Sequence, residues 1–174
     1  MKPDAAIATD RLDLEPLVVA HARELFERLR DPTLYAFIDE APPTSLAALE
    51  TRYRALERRG PPDGRNEVWF NWACRERATG ELAGLMQATV VPDQPALIAY
   101  VFTAGGQGRG LAREASGAVV RALFRDWAQP AVEATVHPDN ARSIALLEAL
   151  GFARIPSATT DLRFRCAADS SSRS

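Results

Sequence analysis

Between an apolar run, Leu97-Ile98-Ala99-Tyr100-Val101-Phe102, and a helix-periodic stretch opening at Leu111, the chain reads Gly105-Gly106-Gln107-Gly108-Arg109-Gly110. Four glycines within six positions, at a strand-to-helix turn, constrain the fold more than any other stretch. They let the backbone approach a ligand closely, and the helix start offers unpaired N–H groups and the positive end of a helix dipole. That geometry suits a phosphate or pyrophosphate, and Arg109 and Arg113 place positive charge beside it. Without a ligand, the same turn reads as a flexible loop with solvated arginines. A Walker loop needs Gly-Lys-Ser/Thr, and Lys2 is the only lysine in the chain. A dinucleotide-binding turn puts an acidic residue at the end of a second strand about 20 residues on. Asp126 stands near that separation, but on the helix that Leu111, Ala115, Val119 and Leu123 define by their spacing.

The remaining periodicities place this turn in one mixed α/β domain. Arg11 to Leu17 alternates with period two and reads as a strand, and residues 1–9 as a frayed lead-in. Helices follow over Ala20–Arg30 and from Leu46, the second capped by Thr44 or Ser45. Glu67–Arg75 and Glu81–Val91 form a predicted antiparallel hairpin about Ala78-Thr79-Gly80. After the long helix come a strand at Val132–Val136 and a helix capped by Asp139 or Asn140 with Gly151 at its C-terminus. Ala153–Pro156 and Asp161–Cys166 close a final hairpin. The expected order is β-α-α-β-β-β-α-β-α-β-β, about seven strands in a central, mostly antiparallel sheet. The domain covers residues 10–166, with residues 1–9 and 167–174 as flexible termini.

Composition narrows the function classes. The chain has 174 residues, 47% hydrophobic and 25% charged, with a formal net charge of −2. That balance fits a globular domain and argues against a general nucleic-acid-binding surface, which is usually basic. Cys74 and Cys166 stand far apart without metal-ligand spacing, so neither a disulfide scaffold nor a metal site is expected. The longest apolar run, Ala96–Phe102, is seven residues, too short for a bilayer span. The first ten residues lack the apolar core of a secretory signal, and a cytoplasmic protein is the expectation. His21, at a polar helix start, reads as a surface residue, and His137 as a loop residue.

Gln107-Gly108-Arg109-Gly110-Leu111-Ala112 matches the Q/R-x-x-G-x-G/A loop of the GCN5-related N-acetyltransferase (GNAT) superfamily. Val136-His137-Pro138-Asp139-Asn140 through Leu150-Gly151-Phe152 resembles that superfamily's later helix motif. Arg11-Leu12-Asp13-Leu14-Glu15-Pro16 and the Pro138-Asp139-Asn140…Ser143 pattern resemble its branch acting on ribosomal-protein N-termini, the RimJ/RimL-like proteins. The resemblance covers residues 10–166 and implies an acetyl-CoA-dependent N-acetyltransferase with no metal. It implies a V-shaped opening between two parallel strands, Leu97–Phe102 and Val132–Val136. Phe102 and Thr103 would then bind the pantetheine arm, and Gln107, Gly108, Arg109, Gly110, Leu111, Ala112 and Arg113 the pyrophosphate. Asn140 would bind the cofactor arm, and Ser143 would reach toward the sulfur.

Transfer to an amine needs a neutral nucleophile and a proton for the leaving thiolate. Where many superfamily members carry a tyrosine for that proton, this chain has Leu147. Ser143 is then the candidate catalytic acid, or an ordinary first-turn serine satisfying backbone groups. No base stands out. Glu133 flanks the expected opening and could face either side of the sheet. Asn71 and Gln87, polar within apolar strands, either line an acceptor pocket or pair with each other. Asp39-Glu40 either attracts a cationic amine or is simply solvated. The expected partner is a small-molecule or peptide amine acceptor, without nucleic acid or membrane. The aromatic stretch Trp69–Trp72, read as exposed, makes a homodimer an alternative to a monomer. A longer acyl donor, an alcohol acceptor, or an acyl-CoA-binding module without turnover are the competing readings.

Overall fold

A computed structural model describes residues 5–168 of the chain. Its strands are β1 (Ile7–Ala8), β2 (Leu12–Pro16), β3 (Val68–Glu76), β4 (Leu82–Val90), β5 (Ala96–Phe102), β6 (Ala131–Val136), β7 (Ala153–Ile155) and β8 (Leu162–Ala167). Four α-helices accompany them: α1 (His21–Leu29), α2 (Leu46–Leu56), α3 (Leu111–Trp127) and α4 (Ala141–Ala149). The strands form one eight-stranded sheet in the order β1-β2-β3-β4-β5-β6-β8-β7. Every neighbouring pair is antiparallel except β5 and β6. The expected mixed α/β fold is the one found, with one strand more than expected. Ile7 and Ala8 are a short edge strand on Leu14 and Asp13, where a frayed lead-in was expected. The flexible segments expected before residue 5 and after residue 168 lie outside the described residues.

Alternation sorts the strand side chains onto two cores. Phe70, Trp72, Met86, Ile98, Phe102 and Val132 face α3 and α4. Leu17, Leu25, Leu49, Tyr53 and Ala73 form the second core, beneath α1 and α2. Ser45 caps α2, its Oγ accepting from the Ala48 amide (3.1 Å), which satisfies one of the helix's orphan donors. Both faces of the central strands are thus covered, and this corrects the reading of Trp69–Trp72. Phe70 and Trp72 are fully buried and stacked, with ring centroids 5.5 Å apart. They offer no exposed aromatic surface for a second copy. His21 is buried as well: the Val18 amide donates to its Nδ1 (3.1 Å), leaving Nε2–H to donate to Glu15 (3.0 Å).

Candidate active site

The sheet splits where β5 meets β6. The pair is in register only at Ala96–Val132 and Leu97–Glu133, while β6 stays paired with β8 along its whole length. Beyond Leu97 the two parallel strands diverge, and a V-shaped opening separates them. The Thr103 amide donates to the Ala83 carbonyl (2.9 Å), so the β4-facing hydrogen-bond positions of β5 fall at odd-numbered residues. The backbone groups of Ile98, Tyr100 and Phe102 therefore face the opening. Of the groups expected there, the Thr103 amide is engaged by Ala83, and Gln107 Nε2 donates to the Phe102 carbonyl (2.9 Å). The edge left for an extended ligand is the backbone of Ile98 and Tyr100 with the Phe102 amide.

The glycine turn lies at the head of this opening. Gly106 sits so close to β4 that a Cβ would stand 2.4 Å from the Ala83 carbonyl oxygen, and no other residue fits. Gly110, at φ 77°, is the N-cap of α3 and provides no side-chain cap. The first-turn amides of α3, from Leu111 to Arg113, thus have no intrahelical acceptor and carry the positive end of the dipole. The arginines are arranged differently from the expectation. Arg109 is turned onto Glu76, with one contact at 2.7 Å and a second closer still, and this guanidinium holds the Glu76 carboxyl below the usual carboxylate range. Arg113 donates to the Ala149 carbonyl (3.3 Å). Arg142, which the sequence did not single out, reaches from α4 to donate to Gln107 Oε1 (2.8 Å) and brings its charge to the loop.

Across the opening, Asn140 caps α4, its Oδ1 accepting from the Ser143 amide (3.1 Å). Its carbonyl oxygen is therefore engaged, and its Nδ2 is the group left for a ligand. Ser143 Oγ lies 2.5 Å from the Tyr100 hydroxyl, with either atom able to donate. This tyrosine, missed in the sequence, supplies a phenol from β5 where Leu147 on α4 is fully buried core. Burial raises the Tyr100 phenol above its ordinary value, and the hydrogen bond to Ser143 only partly offsets that. At neutral pH the pair is two neutral hydroxyls.

On the α1–α2 face, a cavity of about 970 Å³ reaches the same opening, with Ala99, Tyr100 and Val101 on one side and Thr135 and His137 on the other. Gln87 lines it. Asn71 stands opposite Gln87 in the β3–β4 register but is buried, with Nδ2 lacking a hydrogen-bond partner. Asp39, Glu40 and Asp161 also line the cavity, and Glu40 accepts from Arg52 at 2.9 Å. Glu133 is buried against Arg163 (2.7 Å) and Arg165 (3.6 Å) and is not among the lining residues. It serves as the counter-ion of Arg163 and Arg165 on β8. Among the described residues no cluster of His, Cys, Asp and Glu could hold a metal, and no helix is long and apolar enough to cross a membrane.

The profile of the acetyltransferase (GNAT) domain matches residues 11–153, which span the opening, the glycine turn and α4. The chain belongs to the GNAT acetyltransferase family. Solved GNAT structures share the fold at low identity. A GCN5-related N-acetyltransferase from Brucella melitensis superposes with a TM-score of 0.78 at 18% identity, over 94% of this chain and 79% of that one. A GNAT-family acetyltransferase from Bacillus anthracis gives 0.76 at 16%, over 94% and 98%. RimL, a ribosomal L7/L12 α-N-protein acetyltransferase solved with coenzyme A, gives 0.79 at 18%, over 95% and 99%. RimL thus shares the fold of this chain over nearly its whole length. No curated protein matches the chain.

Proposed function

We propose that this GNAT protein transfers an acetyl group from acetyl-CoA to a primary amine of a small molecule or a protein N-terminus, by direct transfer in a ternary complex. The observation that carries this reading is the Tyr100–Ser143 hydroxyl pair, set at the splayed strands between the glycine turn and a cavity large enough for an acceptor. The Gln107 amide is spent on the Thr103 carbonyl (3.1 Å), so the pyrophosphate binds the amides from Gly108 to Ala112, with Arg142 closing the charge from α4. The pantetheine arm adds to β5 like a further strand, on the backbone of Ile98 and Tyr100 and the Phe102 amide, with Asn140 Nδ2 opposite. RimL, of the same fold, is described with coenzyme A. The working unit is residues 10–166, joined by the edge strand at Ile7–Ala8, and the compartment is the cytoplasm.

The chemistry follows from these groups. The acceptor enters the cavity as an ammonium, loses one proton to solvent water, and its nitrogen attacks the thioester carbonyl carbon. The C–N bond forms, the C–S bond breaks, and the thiolate needs a proton. A thiol has a pKa near 8.5, so a weak acid suffices. Ser143 and Tyr100 relay a proton: a hydroxyl donates to sulfur, its hydrogen-bond partner replaces that proton, and the second proton leaving the attacking nitrogen restores the partner, so the pair ends neutral. The raised phenol favours that return of the proton, so no negative charge is left on the pair beside the sulfur.

Incubation with acetyl-CoA and a broad panel of primary amines, followed by free-thiol release, tests the reading. Amine-dependent thiol release with the matching N-acetyl product is expected. Acetyl-CoA binding without turnover on any amine would replace the enzyme by an acyl-CoA-binding module.

A further inference from the structure

Four large apolar side chains are exposed among the described residues: Val18, Phe37, Ile38 and Leu97. Two of them, Phe37 (41% exposed) and Ile38 (37%), adjoin each other in the wall of the cavity. Behind them lies a floor of Leu29, Leu85 and Val101. The Phe37 ring also sits 5.6 Å from the ring of His137, so the wall presents two aromatic faces. Apolar surface concentrated around one concavity marks a place that gains from being covered. The volume of about 970 Å³ is at the upper end for small-ligand sites and exceeds what a short alkylamine fills.

The charges lining the same cavity are mainly acidic. The Glu40 carboxylate is balanced by Arg52, while Asp39 and Asp161 have no ion-pair partner among the described residues. Tyr53 also lines the cavity, on a side chain 1% exposed. Cationic attraction and apolar cover are therefore both offered. A free amino acid would bring its carboxylate against Asp39 and Asp161. A polyamine would satisfy the charge and leave the wall and floor wet.

We propose that the cavity takes a primary amine carried on a bulky, ring-sized apolar body, an arylalkylamine rather than a polyamine or a free amino acid. The ring covers Phe37, Ile38 and the leucine floor, and Asp39 and Asp161 draw the ammonium in. That this amine is the acetyl acceptor rests on the acetyltransferase reading; the binding preference rests on the cavity alone.

Calorimetric titration of the whole protein with 2-phenylethylamine, 2-aminoethanol and spermidine, at fixed pH and salt, tests it. We expect 2-phenylethylamine to bind roughly tenfold or more tightly than the other two, the worth of one buried ring. The exposed pair change Phe37→Ser/Ile38→Ser is expected to abolish that preference without loss of the fold. Asp161→Asn is expected to weaken binding of every cation a few-fold. Absent binding of 2-phenylethylamine, tighter binding of either of the others, or a preference untouched in Phe37→Ser/Ile38→Ser overturns the proposal. If the preference is found but acetyl-CoA yields no thiol with the bound amine, the transferase reading fails and the cavity's selectivity stands.

Discussion

Tyr100 owes its place beside Ser143 to the alternation of β5. Ile98, Tyr100 and Phe102 share the face toward α3 and α4, but only the tyrosine carries a group that needs a partner there. Ser143, one turn into α4, supplies it. Tyr100→Phe keeps the ring and removes the hydroxyl. It should lower kcat by about ten- to a hundredfold, the low end for a general acid because a thiolate leaves readily, with the Kd for acetyl-CoA unchanged. Because the two hydroxyls act as one unit, Tyr100→Phe/Ser143→Ala should fall little below the worse single variant. Steady-state kinetics with acetyl-CoA titrations check both statements, and fully additive losses would contradict the pair. The absence of a tyrosine at Leu147 was legible in the sequence, and so was Ser143. Tyr100 was hidden in an apolar run, because the partner its hydroxyl meets stands 43 positions away. Arg142 was missed for the same reason: its target, Gln107, is on another element.

At the scale of elements, α1 is tied to the sheet by a charge cluster as well as by Ala22, Leu25 and Leu29. Arg75 on β3 donates to Glu15 of β2 (2.6 Å) and to Glu24 of α1 (2.9 Å), and Glu15 also accepts from His21. The Arg75 guanidinium is the main cause holding the carboxyls of Glu15 and Glu24 below their ordinary range. Groups lowered in the folded state bind fewer protons there than in the unfolded chain. Their contribution is therefore fully present above the unfolded value of about 4.3 and is lost as pH falls through the folded values. Arg75→Met should be less stable than the parent at pH 7, with the gap narrowing by pH 3. Urea midpoints at the two pH values measure this, and a gap independent of pH would contradict it. The longer elements were legible because α-helical and strand periods run through them. The edge strand β1 was not, since two residues carry no period. The burial of Phe70 and Trp72 was misread because period two shows alternation but not that helices cover both faces.

At the scale of the molecule, the sheet is two antiparallel blocks, β1 to β5 and β6 to β8, held together by a short parallel register. α3 bridges them, beginning at the glycine turn after β5 and leading to β6. The opening is thus a consequence of topology: one strand pair parts while each strand keeps its outer neighbour. The order of elements and the glycine turn made this architecture legible from the GNAT resemblance. The 970 Å³ cavity was not, because residues from 35 to 44, α2, β5 and β6 meet there from distant parts of the chain. The proposed transfer requires acetyl-CoA in the opening with its pyrophosphate on the first turn of α3. Ala112→Glu tests that better than a change at Gly110, whose φ of 77° would strain any side chain. Isothermal titration of acetyl-CoA into both proteins is the direct measurement. Binding with a Kd on the order of micromolar, lost in an Ala112→Glu protein that keeps its thermal unfolding transition, is the predicted result. No binding of acetyl-CoA to the parent, or equal binding to the two, would contradict it.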